Sequence, residues 1–228
     1  MVVDRRSRRF KIIIVQPGET ESTGLDVSAI VASFEGGNNA IGQSGICSFT
    51  GDLTLNAYSL GSGINTNPRS DRKRWARGNR VIIYLADSSG TLLKYKTLHI
   101  LKAPLAPTPQ TRPTLQISTG DKLSLLSFRQ PPGDESGVEP GTSKTRLQVV
   151  NALLAAAGAG MVFGSIPGNV PWPLQKLCNE SFIQEAGQIA FAAGRYLWVD
   201  RAGTVRASAL PLDNSGSAIA RSSLGRMS

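Results

Sequence analysis

The sequence predicts a mainly β protein: a small antiparallel β-barrel or sandwich over residues 1–105, a Pro-rich linker over 106–113, and an α+β domain over 114–210 with two helices and a C-terminal hairpin. Three observations predict it. Up to Leu101 the apolar segments are short, rich in Ile, Val, Leu and aromatics, and show no helical period. Pro104, Pro107, Pro109 and Pro113 then fall within one stretch that forbids helix and cannot donate a full ladder of hydrogen bonds. Helical periods occur only beyond it, and the 24 glycines and 13 prolines lie mostly between apolar runs, as turns joining many short elements.

The first strands are expected at Phe10 to Val15 and Leu25 to Phe34. Between Ser48 and Tyr58, Phe49, Leu53, Leu55 and Ala57 alternate with polar Ser48, Thr50, Asp52, Thr54 and Asn56, the period of a half-buried antiparallel strand. Gly51 interrupts the apolar face, which reads as a bulge. Arg80 to Ala86 and Leu92 to Leu101 are the last strands of this part, and Asp87-Ser88-Ser89-Gly90 between them is a hairpin signal. A set of this size avoids open edges by closing into a barrel.

Beyond the prolines, Thr114 to Thr119 reads as a short strand, Gly120 and Asp121 as a polar turn, and Leu123 to Phe128 as an apolar run. Leu147, Val150, Leu154 and Ala157 then recur at spacings of three, four and three, one face of a helix that starts near Ser143 and ends at Gly158. Ser181 with Gln184 three residues on has the form of a capping box, opening a helix striped by Phe182, Ala186, Ile189 and Ala193 and ended by Gly194. Tyr196 to Val199, the turn Asp200-Arg201-Ala202-Gly203 and Thr204 to Leu210 make the hairpin. From Pro211 to Ser228 small polar residues dominate, the pattern of a polar tail or of the start of a truncated second barrel.

A formal net charge of +9 and a pI near 10.0 admit nucleic acid, an acidic membrane surface or an acidic protein face as partners. Cys47 and Cys178 lack metal or redox spacing and are expected as free, packed thiols of a protein assembled in a reducing cytoplasm. The basic N-terminus has Arg5, Arg6, Arg8 and Arg9, a solubilising end or an arm towards a neighbour, and the six-residue apolar run behind it is too short for a signal peptide or a bilayer span.

Catalysis finds little support. His99, the sole histidine, lies in a predicted strand, so neither a histidine metal site nor a Ser-His-Asp triad is expected. Gly36-Gly37 and Gly61-Ser62-Gly63 lack the strand, loop and helix context of a phosphate cradle. Asp121, Asp134, Glu135 and Glu139 gather near a loop, but a glycosidase pair needs two carboxyls on rigid elements, one in an apolar pocket. The expectation is no enzyme, no cofactor and no metal.

The order of three stretches carries a resemblance. The first is the charged loop Asn67-Pro68-Arg69-Ser70-Asp71-Arg72-Lys73-Arg74-Trp75-Ala76-Arg77-Gly78-Asn79-Arg80-Val81 entering a strand. The second is the helix Thr145-Arg146-Leu147-Gln148-Val149-Val150-Asn151-Ala152-Leu153-Leu154, and the third runs from Gln175 through the second helix to Tyr196-Leu197-Trp198-Val199-Asp200-Arg201-Ala202-Gly203-Thr204-Val205. Over residues 10–210 this order resembles the baseplate hub proteins of contractile-tailed bacteriophages and related contractile injection systems, including the late-control type. The resemblance implies a virion structural protein with a tail-tube-like barrel, assembled in the host cytoplasm. It implies a homo-oligomeric ring, a trimer first and a hexamer second, with the tail tube protein, the central spike protein and other baseplate proteins as partners. It implies no membrane contact before injection, and phage DNA passing through the lumen without specific binding. Such hubs carry two tube-like barrels, and here only the first is visible.

The expected partner-binding residues are Arg69, Arg72, Lys73, Arg74, Trp75, Arg77 and Arg80. As an interface, the arginines would dock on an acidic face of the next ring with Trp75 as the buried anchor. As an OB-like nucleic-acid-binding module with an accessory domain, the same arginines would hold phosphates and the tryptophan would stack a base. The third reading is a solvated loop whose tryptophan caps the barrel. Trp172 and Trp198 read as core or interface packing, each indole nitrogen seeking a partner if buried.

Overall fold

A computed structural model describes residues 10–41, 44–56, 74–102, 114–127, 144–160, 163–171 and 181–210. In chain order the elements are β1 (Phe10–Val15), β2 (Leu25–Asp26), a 3-10 turn (Ser28–Ile30), β3 (Val31–Asn38), β4 (Ile46–Cys47), β5 (Phe49–Asn56), β6 (Arg80–Ala86), β7 (Leu92–Ile100), β8 (Thr114–Gly120), α1 (Lys122–Leu126), α2 (Arg146–Ala157), α3 (Phe182–Ala192), β9 (Arg195–Val199) and β10 (Val205–Ala209). Among the described residues the strands form two sheets, a seven-stranded one in the order β2-β1-β6-β7-β8-β5-β3 and a three-stranded one in the order β10-β9-β4. The protein is mainly β with an α+β part, as expected.

The large sheet is antiparallel throughout. One face of it holds a core of Ile12, Ile14, Leu53, Leu55, Val81, Leu98, Ile100 and Ile117. On β5 the alternation runs as its sequence requires, with Phe49, Leu53 and Leu55 inward and Asp52 exposed. Gly51 is not a bulge: it pairs in register with Gly36, and a Cβ on it would lie 3.0 Å from the Phe34 ring. Phe34 stacks with Phe49 at 6.2 Å between centroids, so two rings cover the two bare glycines. The register shifts lie elsewhere, between Val31 and Ser33 on β3 and between Ile83 and Tyr84 on β6, the second leaving Tyr95 of β7 as the extra residue.

The expected closed barrel is not formed among the described residues, since β2 and β3 remain as edges. The reason is local. Leu25 to Phe34 is not one strand, because Oδ1 of Asp26 accepts the Ser28 amide at 2.9 Å and turns the chain into the 3-10 segment. That turn then takes the edge of β1: the Ile12 amide donates to Ser28 Oγ at 2.9 Å and the Val27 amide to the Ile12 carbonyl at 2.9 Å. The positions through which β3 would pair with β1 are already used, and a narrow apolar groove of about 40 Å³ lined by Phe10, Val31, Phe34, Ile83 and Leu85 marks the seam.

The β1–β6 pair is buried on both faces. Ile13, Val15 and Ile82 point outward and are covered with Tyr84, and Gly24 lies against them, where a Cβ would come within 2.6 Å of the Ile13 side chain. The segment over 16–24 is anchored by Glu19 to Arg74 at 2.7 Å and by Glu21, which accepts from both the Tyr84 hydroxyl and Lys94.

Both long helices carry complete capping boxes. Ser181 with Gln184 is the expected one, and α2 is opened by Thr145 with Gln148, two residues beyond the predicted start. Gly158 ends α2 with φ of 77°. Val150, Leu154, Ala157, Ile183, Ala186 and Ile189 pack with Leu197, Val199 and Val205 of the small sheet in a second core. In the β9–β10 turn, Asp200 Oδ1 accepts the Thr204 amide at 2.9 Å and Gly203 has φ of 88°.

The two parts exchange strands. β8, beyond the predicted linker, lies between β7 and β5 of the large sheet, while β4, far before it, pairs in parallel with β9 of the small one. The linker over 106–113 and the tail over 211–228 lie outside the described residues.

Candidate functional site

The basic stretch that sequence reasoning singled out divides in space. Arg69, Arg72 and Lys73 lie outside the described residues, as do Arg5, Arg6, Arg8, Arg9 and Trp172. Arg74 is half-buried and bound to Glu19, and Arg80 donates from Nη2 to the Glu19 carbonyl at 3.3 Å. Glu19 thus gathers two of the predicted cations onto the protein's own surface. Its carboxyl is held below the usual range, first by the Gln16 amide and then by Arg74. Arg77 is exposed.

Trp75 is only 1% exposed and belongs to the core of the large sheet, not to a docking surface. The turn that carries it is tied down on both sides. Asn79 donates from Nδ2 to the Arg74 carbonyl at 2.8 Å, the Gly78 amide donates to the Ile100 carbonyl at 2.8 Å, and the Ile100 amide donates to the Asn79 carbonyl at 2.9 Å. His99 Nδ1 lies 3.0 Å from the Gly78 carbonyl, and burial lowers the imidazole pKa, so a neutral ring donating to that carbonyl fits the site. These bonds hold the turn from which the indole packs into the core of the large sheet. Among the described residues its Nε1 has no acceptor.

A different place brings chemically mixed side chains together. Where the two sheets meet, a cleft of about 260 Å³ is lined by Tyr95 and Lys96 of β7, Tyr196 and Trp198 of β9, Arg201 of the β9–β10 turn and Cys47 of β4. Its walls are fixed to each other. Thr97 Oγ1 donates to the Arg201 carbonyl at 2.9 Å, Gly203 approaches Thr97 so closely that a Cβ would lie 3.1 Å from it, and β4 pairs with β9. Trp198 donates from Nε1 to Ser208 Oγ at 2.9 Å, the partner its half-buried indole requires.

Asp121 borders the same cleft but is consumed by structure. Oδ2 accepts the Phe49 amide at 2.7 Å and Oδ1 the Ser124 amide at 2.9 Å, which caps α1 and joins it to β5. Burial raises its pKa against the pull of these amides. Burial likewise raises the Cys47 thiol. On the far side of the sheet, burial and then the Glu21 carboxylate push the Tyr84 hydroxyl up to about 12. Asp134, Glu135 and Glu139 lie outside the described residues. No group of three His, Cys, Asp or Glu suited to a metal occurs among the described residues, and no helix there is long and apolar enough to cross a membrane.

Sequence reasoning missed the cleft because its lining comes from five separate segments, none with a motif. The one local signal was Trp198, read as packing.

No protein-family model matches this chain, and no curated protein matches it. Solved structures do. The 43 kDa tail protein of prophage MuSo2 from Shewanella oneidensis is similar over 89% of this chain and 53% of its own, at 12% identity and a TM-score of 0.57. A chain of the Francisella PdpA–VgrG complex, in its half-lidded form, is similar over 89% of this chain and 31% of its own, at 13% identity and a TM-score of 0.55. This chain therefore spans about half the length of the first and under a third of the second, and it has the fold of those stretches of a prophage tail protein and of a chain from a VgrG-containing complex.

Proposed function

We propose that this chain is a structural protein of a phage-tail or related baseplate hub, whose copies form a ring that starts the tail tube and connects it to the central spike. The observation that carries the reading is the fold likeness to a phage tail protein over 89% of the chain, far more than one common motif would cover. The VgrG-containing complex supports a spike-like partner on the same ground. Assembly draws its energy from repeated symmetric interfaces rather than from a deep pocket. The role is architectural and not catalytic, its place is the virion tail, and other baseplate proteins surround it. Phage DNA passes through the lumen without specific binding. Of the expected docking residues, Arg69, Arg72 and Lys73 lie outside the described residues, Arg77 is exposed, and Arg74 and Arg80 are engaged by Glu19. The nucleic-acid reading loses those two cations and the stacking surface of Trp75, so it draws less support.

Mass photometry and negative-stain imaging test the proposal, on the full chain alone and with the purified tube and spike proteins of the same tail. Rings of threefold or sixfold symmetry are expected. A protein that stays monomeric at high concentration with both partners present would refute it.

A further inference from the structure

From the cleft between the two sheets we infer a docking site for a partner peptide that presents an aromatic side chain beside a carboxylate. The inference rests on the reading of this chain as an assembly protein, and it names a contact that reading leaves open.

Three features of the cleft carry it. The first is the wall chemistry. Tyr95 stands on one side, 38% exposed, and Tyr196 and Trp198 on the other, both half-buried. Tyr95 is the residue left over by the β6–β7 register shift, and such a bulge re-aims a side chain out of the alternation of its strand. Facing aromatic walls bind a flat apolar group by stacking and burial.

The second is charge. Lys96 and Arg201 border the cleft and neither forms an ion pair among the described residues, although the Lys96 ammonium lies 5.0 Å from the centre of the Phe49 ring and in the field of Asp121. The carboxylate nearby, Asp121, spends both oxygens on backbone amides. Two cations against one carboxylate leave the lining net positive, which favours an anion next to the ring, at the exposed Arg201 above all.

The third is size. At about 260 Å³ the space lies below the roughly 300–1,000 Å³ of small-molecule and cofactor pockets, and it suits one or two side chains of a peptide better than a whole nucleotide. Its walls belong to both sheets and are already bonded by Thr97 to Arg201, so an occupant would bind without ordering the site first.

The test uses the full-length chain and a hexapeptide library in which every member has one aromatic and one acidic residue at varied spacing, read by fluorescence polarisation. Oligo(dT) serves as the competing arm. Arg201 is exposed on a turn, so Arg201→Glu leaves the fold intact; Lys96→Glu and Tyr95→Ala probe the opposite wall. Library members are expected to bind the parent and to lose about tenfold in affinity with each charge reversal. Replacing their acidic residue by lysine is expected to abolish binding. A library with no member sensitive to Arg201→Glu overturns the inference, and so does oligo(dT) that binds the parent and fails on the same variants. Ring formation is followed separately by mass photometry: rings with no peptide binding sink the inference alone, whereas a chain that never forms rings sinks the assembly reading.

Discussion

Gly187 sits in the middle of α3, where replacing glycine by alanine ordinarily stabilises a helix by about 1 kcal/mol. Here the opposite is expected. A Cβ on Gly187 would lie 2.4 Å from the Ser44 carbonyl oxygen and 2.6 Å from the Ile46 side chain, and the facing Gly45 is as tight, its own Cβ position being 2.1 Å from the Gly187 carbonyl oxygen. Two backbones touch at this point, and neither can rotate away as a side chain would. Relief requires α3 to move off the segment leading into β4, at the expense of the 2.8 Å bond from the Leu197 amide to the Gly45 carbonyl. Overpacking against rigid neighbours costs up to about 3 kcal/mol, and subtracting the helix gain of about 1 leaves a net loss of about 2 kcal/mol for Gly187→Ala. At roughly 2–4 °C per kcal/mol for a chain of this size, Tm falls by about 4–8 °C. Thermal and urea melts of the variant and the parent measure it. A Tm equal to or above the parent's would show that the β4 segment does not press on α3, and with it that the first half of the chain does not complete the small sheet.

Asp121→Ala removes the acceptor of two buried amides and is expected to cost about 2–4 kcal/mol in a urea melt; a loss below about 1 kcal/mol would mean that water replaces the carboxylate at no cost. Trp75→Ala is expected to destabilise the isolated monomer by about 3–5 kcal/mol, as a core position does, whereas an interface anchor would leave the monomer's melt unchanged and weaken only assembly. Glu19 and Glu21 have folded pKa values below 4.5, Glu21 chiefly through Lys94 and then Tyr84. Their contribution is present above that pH and is lost as the pH falls through the folded values, so the stability gap between the parent and Glu21→Gln closes on acidification. A gap that stayed constant from pH 7 to below 4 would show that the Glu21 contacts do not form.

What could be read from the sequence is what neighbouring residues decide. The α3 cap, its stripe of Phe182, Ala186 and Ile189, the alternation of β5 and the Asp200 to Gly203 turn all lie where their local patterns put them. The errors share another cause. Leu25 to Phe34 has strand composition, yet one Asp26 side chain bonded to Ser28 breaks it and takes the edge of β1. The two residues of β4 are too few to show a period, and their partner is about 150 residues away. Trp75 lies in a run of charges and looks exposed until Asn79 and Gly78 are seen fastening its turn to β7.

The same contrast explains why the basic stretch and the inter-sheet cleft changed places as candidate sites. A run of arginines is visible at once because it is contiguous, but its meaning depends on whether acids elsewhere in the chain reach it, and Glu19 reaches two of them. Lys96 and Arg201 are scattered and draw no notice; Lys96 lies over the Phe49 ring beside Asp121, while the exposed Arg201 forms no ion pair among the described residues, its neighbour Asp200 being paired with Arg206. Charge available to a partner is what remains after the fold has used its own acids. By that measure the described surface offers a partner more at the junction of the two sheets than at the turn over 74–80, and a neighbour that grips the junction would hold both sheets at once.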